Sequence, residues 1–551
     1  MWKELSQKQR EEYKKMILAF ASLTEMFAQK KEILEDETEN EESELLSPII
    51  NSKYQETVFQ RVFNASAEDI GNTSYDVALK SIDKNGNTIK YLVGIKTFGV
   101  GTGNQKIAQF KTNHNEWADL ISKIRDNALD ENGNQLSKDV INKKNDDLYL
   151  ELAKNISKLR NERIESSKAQ IRGFNIDEKD TVCAVYHVLM PSKKGDIPQI
   201  HVGEISYDEI NVDKLKVLGC TSAKTPINFN FTDGNHTYRF TSADSQLLMD
   251  FKNKKIIQED WDVKYAEDAY EIFSEIANKV YKNSLDTEEI AGIEQASFSW
   301  KITNSEGEVE RYSGFNGFYG VGSKAKRTSA QIDKIVEKLK KTYSNDENRE
   351  QLDGTLKKFK DYMKLEARTN EEKRQKEQIR NNILKDVKNI KITEGSDFVD
   401  KMCNYMFRPV NEMYIPIPLA RKFHQEHPDF FGKDIGTFKN ENGKLKLAKE
   451  KHDRTFTMVF EPSGDEMEMF IGQEAGKGIE SNTEQSKLGK WLMENVFRLE
   501  KYEPLTAKRL NDLQINGIRL SRYPNDDRVH LNFIWIDDDE LPDDYISKIK
   551  G

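Results

Sequence analysis

An acid and a lysine lie on either side of a turn signal within residues 74–98, SYDVALKSIDKNGNTIKYLVGIKTF. Asp76 begins the first apolar segment and Lys96 lies near the end of the second. The dipeptide Asn85-Gly86 between them is typical of a β-hairpin turn. A carboxylate can hold a divalent cation, and an ammonium beside it can polarise the water that attacks phosphorus. The pattern therefore predicts a metal-dependent phosphodiesterase centre on a β-hairpin.

The register of this hairpin decides whether the two side chains can act together. With a two-residue turn, Asp76 would face Ile95, so Asp76 and Lys96 would point to opposite sides of the sheet. A one-residue shift, from a bulge or a longer turn, would bring both onto one face. The functional interpretation requires that shift. The alternative is an ordinary half-buried hairpin whose Asp and Lys face solvent.

The hairpin resembles the PD-(D/E)XK nuclease superfamily, which includes most restriction endonucleases. In that family the position two before the lysine is Asp or Glu, whereas this chain has Gly94. The resemblance implies a Mg²⁺ ion held by Asp76, with the carbonyl of Ile95 as a second ligand. It also implies that Lys96 orients or activates water. The departure at Gly94 leaves the identity of the second acidic ligand open.

The segments on either side of the hairpin contain two candidates for the missing ligand. Residues 47–70 predict an amphipathic helix, and Glu56 lies where the family commonly keeps a helical acid. Residues 99–124 predict a glycine loop that enters a second helix. Some restriction enzymes carry the acid on that helix, where this chain has Gln109. An amide oxygen can bind a hard cation but brings no charge, so we expect weak metal affinity.

Two glycine-rich segments, at 99–103 and 314–324, could suggest nucleotide binding. The glycines of neither segment have the spacing of a dinucleotide-binding motif or of a P-loop. We therefore predict structural loops and no nucleotide cofactor.

Composition limits the class of protein. A chain of 551 residues predicts about three domains. No apolar run is long enough for a membrane span, the N-terminus lacks a signal-peptide core, and the three cysteines show no metal-ligand spacing. We expect a soluble, cytoplasmic protein with no membrane partner. The net charge of −10 argues mildly against nucleic acid, but DNA responds to local patches.

The order of patterns predicts a multidomain α/β chain with four parts. Further strands are expected at TVCAVYHVLM and QIHVGEISYDEI, and a second hairpin is expected to turn at Asp233-Gly234. The predicted parts are an N-terminal helix with an acidic linker (1–45), a PD-(D/E)XK-like nuclease domain (46–255), a mainly helical linker domain (256–395) and a C-terminal domain (396–551).

The C-terminal part resembles the B3-like DNA-binding domain that is fused to several restriction endonucleases. The resemblance is carried by YIPIP (414–418), by GQEAGKGIESN (472–482) followed by LGKWL, and by a late strand pair. It implies a β-barrel that grips the major groove of double-stranded DNA with two arms.

Polar residues in these arms are the candidates for reading DNA. Gln and Asn can pair bidentately with adenine, and Lys reads guanine or neutralises phosphate. The predicted DNA-binding residues are Gln473, Lys477, Ser481, Asn482 and Gln485 in one arm, Arg408 and Asn411 nearer the other, and Arg519 and Arg522 as weaker candidates.

The two resemblances together predict a type II restriction endonuclease that hydrolyses DNA phosphodiester bonds with Mg²⁺. The predicted catalytic residues are Asp76, Lys96, Glu56 and Gln109. A non-catalytic DNA-binding protein with a degenerate nuclease fold is the alternative, and Gly94 favours it. A scaffold protein assembled through its helical middle is a third.

Double-strand cleavage needs two centres or two visits, so a homodimer is a possible partner arrangement. The N-terminal helix and the charged helices between residues 328 and 390 are the surfaces that we assign to this contact. Both could equally pack within one chain.

Overall fold

The chain is described here from a computed structural model. The structure describes residues 1–27, 45–67, 75–82, 88–174, 181–207, 209–282, 296–321, 327–392, 396–409, 412–441, 443–472, 475–523 and 526–546. The acidic stretch 35–44 and the turn Asn85-Gly86 lie outside the described residues.

The chain forms thirteen α-helices and twenty strands within these ranges. The helices are α1 Gln7–Ala21, α2 Ser52–Phe63, α3 Ala118–Asp126, α4 Lys138–Arg172, α5 Asn253–Ile256, α6 Ala269–Lys282, α7 Ser329–Tyr343, α8 Arg349–Lys364, α9 Asn370–Asn389, α10 Phe398–Met406, α11 Ala420–Glu426, α12 Gln485–Lys490 and α13 Ala507–Leu513. The strands are β1 Ser66–Ala67, β2 Val77–Ile82, β3 Thr88–Thr97, β4 Gln105–Gln109, β5 Thr181–Pro191, β6 Gln199–Ser206, β7 Lys216–Ser222, β8 Thr225–Thr232, β9 Thr237–Thr241, β10 Gln246–Met249, β11 Ile257–Asp262, β12 Ala296–Lys301, β13 Ile415–Pro416, β14 Phe438–Glu441, β15 Lys444–Leu447, β16 Thr455–Phe460, β17 Asp465–Gly472, β18 Gly478–Ser481, β19 Gly517–Arg522 and β20 Val529–Ile534.

The first sheet has the order β1-β2-β3-β5-β6-β11 and is antiparallel except where β3 pairs with β5. The central strands β3 and β5 are buried over six and seven consecutive residues. Such continuous apolar runs are expected for strands that are covered on both faces. One face packs against α1 and α2, and the other packs against α4 and the second sheet. The predicted strands at 181–190 and 199–210 are found as β5 and β6, although β6 ends at Ser206, four residues earlier than predicted.

The N-terminal helix belongs to this first sheet. Tyr13, Ile17 and Ala21 are buried on one side of α1, in the same core as Phe59 of α2 and Val93 of β3. The apolar side of this helix is therefore covered within one chain.

The second sheet has the order β4-β10-β9-β8-β7. The hairpin predicted at Asp233-Gly234 is confirmed as β8 and β9, and Gly234 takes a φ of +91° that glycine adopts without strain. The helix predicted directly after the glycine loop is wrong at its start, because residues 105–109 form strand β4. Ile107 is buried there and Gln109 pairs with Gln246 of β10, so sheet pairing decides the conformation. An α-helix begins only at Ala118.

The third sheet is a curled half-barrel with the order β12-β19-β20-β16-β17-β18-β13, in which only β16 and β20 are parallel. Strands β16 and β17 form a hairpin, and the predicted late strand pair is β19 and β20. The YIPIP segment supplies β13, which pairs with β18.

Residues 256–395 are mainly helical, and their two strands belong to sheets formed by other parts of the chain. β11 is the last strand of the first sheet, and β12 is the first strand of the third sheet. Helices α7, α8 and α9 contribute to the same core as the C-terminal strands. The third sheet therefore starts at residue 296, about a hundred residues before the predicted domain boundary. No helix in the described ranges is both long and apolar enough to cross a lipid bilayer.

The long helix α4 connects two halves of the chain. The N-terminal half contains the first two sheets, and the C-terminal half contains the third sheet. Its Ser166 hydroxyl donates a 2.6 Å hydrogen bond to the carbonyl of Val496, and its Ala169 carbonyl accepts one of 3.1 Å from the indole of Trp491. One turn earlier, the buried Arg163 donates to the carbonyls of Asp512 and Gln109 at 2.6 and 2.7 Å. Side chains of α4 thus bond directly to the C-terminal half.

Candidate active site at the end of the β2–β3 hairpin

The paired residues of the hairpin are shifted by one position relative to a two-residue turn. Val77 pairs with Val93 rather than with Gly94. The regular pairing ends there, because the N–H of Asp76 bonds to the carbonyl of Val93, where a continued register would give that of Gly94. Asp76 therefore lies at an irregular, bulge-like position beside β3, and it is not level with Gly94.

Main-chain bonds hold Asp76 against the end of β3. Its N–H donates to the carbonyl of Val93 at 2.9 Å, and its Oδ2 accepts a 2.6 Å bond from the N–H of Ile95. In an extended strand, the N–H and the C=O of one residue point to the same side. The Ile95 carbonyl, which the family resemblance implies as a ligand, is therefore directed to the side on which Asp76 lies.

The electrostatics of Asp76 show which charges surround it. Burial raises the pKa of this carboxyl, and the nearby carboxylate of Glu56 raises it further. The ammonium of Lys96, the N–H of Ile95 and, with the smallest effect, the ammonium of Lys53 lower it. Two of the other predicted catalytic residues, Lys96 and Glu56, thus act electrostatically on Asp76.

Helix α2 places Glu56 at the rim of this site. The side-chain oxygen of Asn51 caps the helix by accepting from the N–H of Tyr54. Val58 and Phe59 are buried against the sheet and fix the helix. The side chain of Glu56 is 22% exposed, and its closest described cation is that of Lys53 at 3.4 Å.

Polar side chains that the sequence did not single out form two hydrogen-bonded pairs near the site. The Thr97 hydroxyl donates to Oε1 of Gln55, one residue before Glu56. The hydroxyl of Tyr13 lies 3.3 Å from Nε2 of His187, the residue of β5 that pairs with Ile95. Burial lowers the pKa of His187 to about 3, so its ring is neutral. The only sequence signal is that Gln55 and His187 are polar residues within apolar periodic segments.

Gln109 is not brought to this site. It is the last residue of β4, where its amide donates to the carbonyl of Asp244 at 3.3 Å and its own carbonyl accepts from Arg163. Within the described ranges, none of its hydrogen bonds reaches Asp76, Lys96 or Glu56. The expectation of a helix at this position is the reason for the difference.

The donor set suits a hard cation. Mg²⁺ is usually held through one or two carboxylates and keeps several waters. Asp76 and Glu56 supply two carboxylates, and the Ile95 carbonyl supplies a neutral oxygen. No group of three or more acidic, histidine or cysteine side chains is placed to hold a metal in the described part of the chain. Two carboxylates and one carbonyl oxygen are donors of the kind that suits Mg²⁺.

The candidate DNA-binding residues of the arm around β18 divide into exposed and buried ones. Lys477 is exposed. Asn482 is also exposed, although its amide donates to Oε2 of Glu468 at 2.7 Å. Ser481 is buried, and its hydroxyl oxygen accepts from the N–H of Glu484 at 3.0 Å, so this side chain is unavailable to a base edge.

The remaining candidates are held by partners within the chain or are not described. Arg519 forms an ion pair with Asp544 at 2.8 Å, and Arg408 forms one with Glu412 at 3.2 Å. Arg522 donates to the carbonyl of Asp429 at 3.1 Å. Gln485 begins α12 but its side chain is not described, and Asn411 and Gln473 lie outside the described residues.

Comparison with known proteins assigns no family to the chain. No protein-family model matches it, and no curated protein matches it.

Proposed function

We propose that this chain is a Mg²⁺-dependent DNA endonuclease of the type II restriction class, with a PD-(D/E)XK-like centre at the end of the β2–β3 hairpin. The observation that supports the proposal is that Asp76 bonds to Ile95 near the carboxyl end of β3, where the charges of Lys96 and Glu56 both act on it. This end lies beside the parallel strand β5, and ligands of α/β sheets commonly bind at such edges.

The residues of the chain have separable roles in this proposal. Asp76 and Glu56, with the Ile95 carbonyl, would hold the cation. A bound Mg²⁺ supplies Lewis-acid stabilisation of the phosphate charge and a water of lowered pKa. The hydrogen bond from Ile95 fixes the carboxylate of Asp76 in advance. Lys96 orients the attacking water and adds positive charge where negative charge develops on the phosphate.

The C-terminal half is proposed to read the DNA sequence through a B3-like domain. Lys477 and Asn482 are its exposed polar candidates near β18. The contacts of α4 with Val496, Asp512 and Trp491 support a fixed distance between reader and catalytic centre. Such a fixed distance suits an enzyme that cuts at a constant position relative to its recognition sequence.

A non-catalytic DNA-binding protein remains the second candidate, because Gly94 occupies the position of the usual acid. Its distinguishing property is sequence-specific binding without cleavage. A scaffold protein would do neither.

Incubation of the full chain with plasmid and genomic DNA, with Mg²⁺ or with a chelator, tests the proposal. We expect discrete fragments with Mg²⁺ and intact DNA with the chelator. DNA of differing base methylation has to be included, because modification can block a restriction enzyme. Specific binding without any cleavage would favour the second candidate, and absence of both would favour the scaffold.

A further inference from the structure

Exposed lysines surround the glycine loop 99–103, which continues β3 beyond Lys96. The pairing of β3 with β5 extends into this loop, because the N–H of Val100 donates to the carbonyl of Pro191 at 3.0 Å. Two other segments, 191–198 after β5 and 250–256 around α5, carry the lysines. All of them are exposed, and we call them the lysine patch: Lys193, Lys194, Lys252, Lys254 and Lys255.

Specific contacts hold both lysine-bearing segments against the glycine loop. The side-chain amide of Asn253 donates to the carbonyls of Val100 and Thr102 at 3.0 and 2.6 Å, which places α5 beside the loop. A methyl group on Gly101 would lie 2.4 Å from Cε of Lys193, so the Lys193 side chain crosses the loop where glycine leaves room for it. The lysines of the two segments therefore lie around one loop.

The lysine patch concentrates positive charge in an acidic chain. Lys193, Lys254 and Lys255 form no ion pair with a carboxylate in the described ranges. Segments 191–198 and 250–256 contain only two carboxylates, and that of Asp250 accepts from the main-chain N–H of Lys252 at 2.9 Å. The net charge of the whole chain is −10, so this surface departs from the average. Local patches of this kind attract nucleic acid whatever the total charge is.

We propose that the lysine patch binds the phosphate backbone of double-stranded DNA beside the catalytic centre, a contact whose partner rests on the proposed function. Gly101 follows Lys96 by five residues, so their Cα atoms lie at most about 17 Å apart. Base pairs rise by about 3.4 Å, so the patch reaches DNA within about five base pairs of Lys96. Lysine neutralises phosphate without reading bases, so the contact is independent of sequence.

Binding of the full chain to a duplex of arbitrary sequence, without Mg²⁺ and at several salt concentrations, tests this contact. The triple variant Lys193→Gln, Lys254→Gln and Lys255→Gln should make the plot of log affinity against log salt shallower by about 2–3, because each lost phosphate contact removes about 0.9 from the slope. An unchanged slope, or a natural chain that binds no duplex, would overturn the proposal. A loss of affinity that differs widely between unrelated duplexes would also overturn it, since it would indicate base contact.

The start of α4 offers a matched control. Lys138→Gln, Lys143→Gln and Lys144→Gln remove the same charge from exposed positions. Asn142 between them accepts from the N–H of Cys220 in β7, which is the edge of the second sheet opposite to β4. This control should keep the slope of the natural chain. An equally shallow slope would mean that net charge alone matters, and the patch would lose its assignment.

Other occupants of the patch give different results in the same experiments. Vesicles that contain an anionic phospholipid would assign the patch to a membrane surface if the triple patch variant stopped binding them while it bound DNA normally. An acidic segment of the chain itself would be the occupant if the variant lost thermal stability and still bound DNA normally. Either result would contradict the proposal.

The binding experiments separate this contact from the proposed catalysis, because they need no cleavage. A chain that cuts DNA while the patch variant keeps the natural slope would contradict only the patch. A chain that binds through the patch and never cuts would contradict only the nuclease activity.

Discussion

The N–H of Ile95 donates a 2.6 Å hydrogen bond to Oδ2 of Asp76 and ties that carboxylate to the strand that carries Lys96. Asp76 itself lies one residue before β2, and this bond fixes its carboxylate to β3, the strand that supplies the Ile95 carbonyl and the ammonium. Sites supported by strands hold their geometry better than sites on loops.

Asp76→Ala and Lys96→Ala should each lower Mg²⁺-dependent cleavage by at least about 100-fold, because both groups act on charge that develops in the transition state. DNA affinity should change little. Cleavage rates and binding of the same duplex are to be measured side by side. Lys106→Ala removes an exposed lysine of β4 and serves as the control. Undiminished cleavage by either variant would exclude this hairpin as the catalytic centre.

Glu56→Gln should also reduce cleavage strongly, since Glu56 is the second carboxylate beside Asp76. Gly94→Glu alone should not raise the activity much, because a further carboxylate adds repulsion to a site that already holds two. The cleavage rates of the Glu56→Gln and Gly94→Glu variants are to be measured at several Mg²⁺ concentrations. A large gain from Gly94→Glu would mean that Glu56 does not replace the missing acid.

The strands around the site could be predicted because their apolar residues recur in patterns typical of β structure. The shifted register of the hairpin could not be predicted, because it depends on the turn rather than on the strands. The strand at Gln109 could not be predicted either, because β4 pairs with β10, and its partner Gln246 lies far along the chain. A charge pattern does not predict the partners of Arg519 and Arg522. Arg519 pairs with the carboxylate of Asp544, and Arg522 donates to the main-chain carbonyl of Asp429.

Asp76→Asn should stabilise the metal-free protein near neutral pH while it abolishes cleavage. The folded state raises the pKa of Asp76, so its carboxyl holds a proton more tightly than in the unfolded chain. Stability is therefore lost as the pH rises from the ordinary carboxyl pKa to the raised one. Urea unfolding of both proteins across this range should show an advantage of the variant that grows with pH. The exposed Asp147→Asn is the control, and a variant that is less stable at neutral pH would contradict the prediction.

Lys477→Ala and Asn482→Ala should each weaken binding of the cognate duplex by roughly 1–3 kcal/mol if they reach base edges. Ser481→Ala should leave affinity nearly unchanged, because the Ser481 side chain is buried and bonds to Glu484. These affinities have to be measured on the full chain. A fragment that begins at residue 396 would lack β12, which pairs with β19 along six residues. Equal losses on unrelated duplexes would assign the residues to phosphate contact instead.

Arg163→Ala should destabilise the chain and loosen the contact between its halves. The guanidinium is buried and donates to the carbonyls of Asp512 and Gln109 and to the side chain of Asn113. A buried acceptor that loses its donor costs about 1–3 kcal/mol, so a loss of about 3 kcal/mol or more in the free energy of unfolding is expected.

The unfolding curve of the Arg163 variant carries further information. If α4 couples the two halves, the natural chain should unfold in one transition and the variant in two, because their contact weakens before either core does. Arg125→Ala removes an exposed arginine of α3 and should change neither the free energy nor the number of transitions. Two transitions already in the natural chain would show that α4 does not couple them. In that case, reader and catalytic centre would be joined flexibly, and cleavage would scatter around the recognition sequence.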